Sequence, residues 1–261
     1  ALSDFVKCFW TLTSPREDNP ERQRIVPDGC MEMIIHCGDL YQQFKDDGSS
    51  FIQPRSFVFG QLTQPLEIGP TGVTEIMAVR FHPDGFIPFC TMPIAAMENR
   101  PVSLTELYKQ EGDTLANAVI VASTFQNRIA ILEDFLVQRL KDTKTIDTIT
   151  AASVDALLTL KGQLSVDQMA EQQTISRRQL ERRFATTVGL SPKQLSKIIR
   201  LQHTLKNMEQ NPSHNLASLA VENGYFDQAH FIKDFKEFTG MTPKQFFADS
   251  LKMSVLFIKT E

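Results

Sequence analysis

Residues 176–183 read Ser-Arg-Arg-Gln-Leu-Glu-Arg-Arg, placing four guanidinium groups and one carboxylate within about two helical turns. On a helix Leu180 and Phe184, at i and i+4, lie one above the other and need a core. Arg177, Arg178, Glu181 and Arg182 then project from the opposite face. Arg can bridge O6 and N7 of guanine, and Glu can accept from N4 of cytosine, so this face carries the chemistry for reading base edges in a major groove. Arg183 lies round the side, where it reaches a phosphate or supports the fold.

The same pattern returns 51 residues later. Ser176–Leu195 reads SRRQLERRFATTVGLSPKQL, and Asp227–Phe246 reads DQAHFIKDFKEFTGMTPKQF. Leu180 matches Phe231, Phe184 matches Phe235, Gly189 matches Gly240, and Pro-Lys-Gln recurs unchanged at 192–194 and 243–245. Each glycine falls where a left-handed helix cap is needed. Ser191 and Thr242 are placed as N-caps, each with Pro at the first helical position. With Phe231 and Phe235 inward, Gln228, His230 and Lys233 are left on the outer face beside Ala229. Gln suits adenine, and Lys suits guanine or phosphate. Lys193, Lys197, Lys236 and Lys244 are expected as phosphate contacts, which position a protein without specifying sequence.

Positioning two such helices takes a scaffold, and the flanking sequence predicts one. A shorter helix precedes each, over Val166–Gln172 and Ala217–Asn223, across the tight turns Gln173-Thr174-Ile175 and Gly224-Tyr225-Phe226. Helix, short turn and helix is the arrangement that delivers a second helix into a major groove. A connecting helix over Pro192–Met208, roughly 25 Å long, can hold the two reading helices near one DNA turn (~34 Å) apart.

Charge is divided to match. The chain of 261 residues carries a net charge of −4, but residues 161–206 hold nine Lys and Arg against three Asp and Glu. Residues 151–261 carry +3 and the remainder −7. A basic segment on an acidic chain is an electrostatic footprint for nucleic acid. No run approaches ~18 consecutive apolar residues, which predicts no membrane span. No basic leader precedes an apolar run, which predicts no signal peptide. Cys8, Cys30, Cys37 and Cys90 form no C-x-x-C pair, and a reducing cytosol with buried, inert thiols is expected.

Residues 1–100 read as short strands: Phe5–Leu12, Met31–His36, Phe51–Phe59 and Thr74–Phe81, punctuated by Pro27-Asp28-Gly29 and His82-Pro83-Asp84-Gly85. This predicts a small barrel or sandwich. Trp10, Glu32, His36, Arg80 and His82 are candidate lining residues of a ligand site in its mouth, with plain packing as the alternative reading of each. Cys30, His36 and Cys37 have poor spacing for zinc, and no metal or other cofactor is expected. Ser103-Leu104-Thr105-Glu106 is a capping box that opens a helical stretch. Ile129, Leu132, Phe135, Leu136 and Leu140 share one face of a helix over residues 127–141, facing either a second subunit or the chain's own barrel. The polar stretch Lys141–Ser153 is expected to hold the boundary between halves.

Gly224-Tyr225, Asp227-Gln228-Ala229-His230-Phe231, Asp234-Phe235 and Phe238-Thr239-Gly240-Met241-Thr242-Pro243 resemble the signature of the AraC/XylS family of transcription regulators. The resemblance spans roughly residues 150–250. It implies seven helices with two helix-turn-helix motifs on one connecting helix, and it places Arg178, Glu181 and Arg182 at base-reading positions. Val26-Pro27-Asp28-Gly29-Cys30, Phe59-Gly60 and Val79-Arg80-Phe81-His82-Pro83 resemble a cupin-like sensor region attached to some of these regulators. The expected architecture is therefore α+β: a β-rich sensor domain at 1–110, a helical connector at 111–150, a double helix-turn-helix domain at 151–251 and a tail at 252–261. The expected partners are double-stranded DNA and an unidentified small-molecule effector, with no membrane, and a homodimer matches family habit. The function implied is a regulator, activation being the commoner outcome in the resembled family, and not an enzyme. A cupin-like enzyme fused to a DNA-binding domain is the alternative, but no metal triad, nucleophile elbow or phosphate loop is visible for it.

Overall fold

The computed structural model describes residues 2–140, 146–210 and 216–248; the expected tail at 252–261 and part of the expected boundary stretch lie outside them. The architecture is α+β. Nine strands come first: β1 (Val6–Ser14), β2 (Gln23–Ile25), β3 (Glu32–His36), β4 (Tyr41–Phe44), β5 (Ser50–Ile52), β6 (Ser56–Phe59), β7 (Leu66–Pro70), β8 (Thr74–Phe81) and β9 (Pro101–Ser103). They form a five-stranded sheet ordered β1-β8-β3-β6-β9 and a four-stranded sheet ordered β2-β7-β4-β5. The run expected as one strand over Phe51–Phe59 is two. Pro54, which cannot donate to a ladder, separates β5 in one sheet from β6 in the other.

Strand periodicity decides what faces where. In β8, Met77, Val79 and Phe81 join Met33 and Ile35 of β3 in a core covered by helices. Their even-numbered neighbours point the other way, where Ile76 and Ala78 pack with Tyr41, Trp10, Leu12, Ile34 and Ile68 between the sheets. Both faces of β8 are covered, so it shows almost no alternation of burial.

Half of the expected capping box forms: Ser103 Oγ accepts from the Glu106 backbone N–H at 3.0 Å and opens α1 (Leu104–Tyr108), while the Glu106 carboxylate pairs with Arg100 at 3.3 Å. Then come α2 (Gln110–Val121) and α3 (Phe125–Leu140). Leu115, Val119, Leu132 and Leu136 are buried in the same core as the five-stranded sheet, and Ile129, Phe135 and Leu140 pack against it. The apolar face considered for a second subunit is thus occupied by the chain's own barrel.

The remaining helices are α4 (Thr148–Thr159), α5 (Val166–Gln172), α6 (Arg177–Thr187), α7 (Pro192–Gln210), α8 (Leu216–Glu222), α9 (Gln228–Thr239) and α10 (Pro243–Ala248). They enclose a second core in which Leu180, Phe184, Phe231 and Phe235 are fully buried. Gly189 and Gly240 have φ of +82° and +75°, the left-handed conformation that ends α6 and α9. The structure also accounts for the repeated glutamine. Gln194 Oε1 accepts from the Ser191 backbone N–H at 3.0 Å, and Gln245 Oε1 accepts from that of Thr242 at 2.9 Å. Each Pro-Lys-Gln therefore closes a capping box on its preceding hydroxyl residue.

Candidate nucleic-acid interface and linked cavity

Helix α6 begins at Ser176, whose side chain accepts from the Gln179 backbone N–H, while the Gln179 side chain accepts from that of Ser176. This box sets the rotation of the helix. Leu180 and Phe184 go inward, and Arg177, Arg178, Glu181 and Arg182 all stand in solvent. Arg178, Glu181 and Arg182, at i, i+3 and i+4, form a single stripe. Glu181 is engaged by Arg177, with Nε 3.0 Å from Oε1, and Arg177 also reaches Asp167 at 3.5 Å. Exposed pairs of this kind contribute under ~1 kcal/mol, so a base edge can displace them at little cost. Arg183 does not reach outward; it pairs with Asp147 at 3.0 Å and ties α6 to the start of α4.

In the second unit Asp227 caps α9 by accepting from the His230 backbone N–H at 2.7 Å. Gln228, Lys233, Lys236, Lys193 and Lys244 are exposed. Two expected contacts are placed differently. The His230 ring lies edge-on to Tyr225 with centroids 5.5 Å apart, and its Nε2 is 3.5 Å from Asp234 Oδ2, so it leans toward the protein. The Lys197 ammonium is 2.9 Å from both Asp234 Oδ1 and Glu237 Oε2. Asp234 is 1% exposed. Lys197 therefore compensates a buried carboxylate and joins α7 to α9, a different task from the phosphate contact its charge predicts. Periodicity shows which face of α7 Lys197 occupies, but not that α9 brings a buried acid to it.

The N-terminal half holds a cavity of about 70 Å³ between its sheets. Leu12, Ile25, Ile34, Leu66, Ile68 and Ile76 are among the apolar residues of its wall, and Trp10, Glu32 and His36 lie on it. Glu32 Oε1 accepts from Trp10 Nε1 at 3.2 Å and from Arg80 Nη1 at 3.4 Å. Arg80, 4% exposed, stands behind the wall, paired with Asp28 and Glu32. Burial pushes the Glu32 carboxyl up to about 8, with the indole bond pulling it back, and lowers Arg80 to about 10. His36 is buried between Tyr41 and Phe57, and burial depresses it to about 4, so it is neutral at physiological pH. His82 is the exception among the five. It lines a separate groove with Asp84, Asp147 and Asp155, because the turn after β8 carries it past the end of the sheet. The four cysteines are free, and burial raises all their thiols, Cys30 to about 12. Among the described residues no three His, Cys, Asp or Glu side chains gather in a metal-binding group, and no helix is long and apolar enough to cross a membrane.

Sequence reasoning missed the segment that joins the two sites. Gln23, Ile25, Val26, Asp28 and Cys30 line the cavity. Interleaved with them, Arg24 donates to the carbonyl of Thr239 at the end of α9 (3.3 Å), and Gln202 of α7 donates to the Pro27 carbonyl (2.7 Å). Val26 itself packs against the helical core. A separate contact sets Ile94 against Gly189, just after α6. The alternating side chains of β2 were the one available signal, but the strand is only three residues long.

Residues 169–249 match a family model described as a helix-turn-helix domain, and residues 1–103 match a domain of unknown function (DUF6597). An uncharacterized HTH-type transcriptional regulator of Haemophilus influenzae is 28% identical over 134 residues, 51% of this chain and 44% of that protein. The HTH-type transcriptional regulator MtrA of Neisseria gonorrhoeae is 34% identical over 82 residues, 31% of this chain and 27% of that protein. The matched parts thus span less than half the length of either relative. A solved structure of ToxT from Vibrio cholerae aligns over 93% of this chain and 98% of its own, with 11% identity and a TM-score of 0.49.

Proposed function

We propose that this protein, whose residues 169–249 match a helix-turn-helix domain of AraC type, is a sequence-specific DNA-binding transcription regulator, acting in the cytosol, whose N-terminal cavity takes a small effector. The observation that carries the reading is the pair of repeated helices, α6 and α9, each with an apolar face fully buried and a polar face left open to solvent. α6 reads bases with Arg178, Glu181 and Arg182, and α9 with Gln228 and Lys233, while Arg177, Lys193, Lys236 and Lys244 serve phosphates. His230 and Lys197 act mainly inside the fold.

The segment at residues 23–30 supplies the link between the sites. It is wall to the cavity on one side and a docking strip for α7 and α9 on the other. An effector that fits better in one placement of this strip shifts the helical half by its difference in affinity, typically 1–3 kcal/mol. The cavity wall points to a small, largely apolar molecule. Activation is the direction proposed for the response.

The test is selection of bound duplexes from random DNA, followed by titration of variants. Arg182→Ala is expected to lose roughly 1–3 kcal/mol of specific binding and to relax preference at one base position. Specificity unchanged at every position rejects the reading of α6. Lys233→Ala separates two roles: relaxed preference at one base marks a base reader, whereas uniform weakening with a salt slope shallower by about one unit marks a phosphate contact.

A further inference from the structure

The two helix-turn-helix units differ in one respect that bears on what each reads. The backbone N–H of Ile175 bonds the carbonyl of Ala170, and that of Tyr225 bonds the carbonyl of Ala220, both at 3.0 Å, so these residues are equivalent at an offset of 50. The N-caps Ser176 and Asp227 are equivalent at an offset of 51. The second turn is therefore one residue longer, and the added residue is Phe226. Its side chain is 90% exposed, ahead of the N-cap of the reading helix. Among the described residues it is the most exposed of the large apolar side chains.

The helix that follows continues the same change of chemistry. At an offset of 51, Ala229 stands where α6 has Arg178, and Ile232 stands where it has Glu181. Ala229 is exposed and Ile232 half-buried, and they line one open surface depression with Lys233, Lys236 and Glu237, whose carboxylate is paired with Lys197. Only the third position of the stripe stays basic, Lys233 against Arg182. The first unit thus offers charged groups to base edges, and the second an apolar strip flanked by lysines.

The apolar group that a base pair presents in the major groove is the 5-methyl of thymine. Resting on the DNA-reading function above, we propose that the second unit recognises its half-site through thymine methyl groups, contacted by Phe226, Ala229 and Ile232. Lys233 keeps the third reading position, and Lys236 holds that end of the helix to the backbone. A protein partner covering Phe226 is the competing use of the same exposure. The two lysines beside Ile232 and the position of Phe226 ahead of α9 favour DNA.

The experiment uses the full chain and an operator selected from random duplexes. Each thymine is replaced in turn by deoxyuridine, which removes the methyl and keeps every hydrogen-bonding group. At one to three thymines of the half-site bound by α9, affinity is expected to fall about threefold to tenfold per position. Thymines facing α6 are expected to be insensitive. Phe226→Ser, at an exposed position, and Ile232→Ala, at a half-buried one whose folding is checked by circular dichroism, should weaken binding to the thymine operator and abolish the uracil effect at their own positions. Uracil tolerated throughout the α9 half-site overturns the proposal while leaving sequence-specific binding intact. Failure to select any operator overturns it together with the regulator reading. If Phe226→Ser leaves operator affinity and the uracil effect unchanged, Phe226 is removed from the reading surface and assigned to a protein contact.

Discussion

Lys197→Ala is expected to destabilise the helical half by roughly 3 kcal/mol, toward the lower end of the 3–5 kcal/mol typical when one partner of a buried ion pair is removed. The ammonium is shared between Asp234 and Glu237, at 2.9 Å each. Glu237 is exposed and can rehydrate, whereas Asp234 is 1% exposed and cannot. His230, 3.5 Å from the other oxygen, offers partial compensation, which keeps the cost from the top of the range. The check is urea denaturation of the full chain and of Lys197→Ala, followed by helical circular dichroism. The double variant Lys197→Ala, Asp234→Leu is expected to recover much of the loss, because the unpaired charge is then absent. The charge of Lys197 is already neutralised, so DNA binding by the folded variant should keep nearly the wild-type salt dependence. A variant of unchanged stability whose salt slope falls by one unit would return Lys197 to the phosphate backbone and refute its place in the fold.

The second large effect lies in the barrel and is set by pH. His36 titrates near 4 in the folded chain, against an ordinary value of 6.5, because burial disfavours its charged form. Above pH 6.5 both folded and unfolded states hold it neutral, and the His36 contribution to stability is at its full value. As pH falls through 6.5 the unfolded chain takes up a proton that the folded chain refuses until about 4. Stability is lost across that window and levels off below it. At ~1.4 kcal/mol per unit the whole loss is about 3 kcal/mol. Trp10 is the only tryptophan and lies on the same cavity wall, so its fluorescence follows unfolding of this half. Between pH 7 and pH 5 the wild-type urea midpoint is expected to drop relative to that of His36→Leu; the opposing gain from Glu32, whose raised carboxyl takes up its proton first in the folded chain, is common to both proteins and cancels in the comparison. Parallel profiles for the two proteins would rule out His36 as the source.

The helical half was legible because its constraints are local. A turn of helix pairs i with i+4, so Leu180 with Phe184 and Phe231 with Phe235 show the buried face without knowledge of any partner. Ser176, Asp227, Ser191 and Thr242 mark helix starts through bonds that reach only two or three residues. The 51-residue repeat then doubled every such observation. The barrel was less legible, since β2, β4 and β9 are only three or four residues long and were not singled out as strands. What β3 and β8 did carry was their parity, which set Glu32, His36 and Arg80 toward one side, while His82 lay one residue past the end of β8.

The amino-acid order by itself thus determined two repeated amphipathic helices, the glycines and hydroxyl residues that bound them, the basic stretch around α6, and an alternation that puts Glu32 and His36 on one side of their strand without saying which side faces a cavity. Each depends on backbone geometry with a short, fixed period. Tertiary structure alone decided that Lys197 serves Asp234, that Arg183 serves Asp147, that α3 covers the barrel, and that residues 23–30 touch cavity and DNA-reading half together. Those contacts join residues 36 to 215 positions apart. No local period relates such partners, because packing of whole faces brings them together.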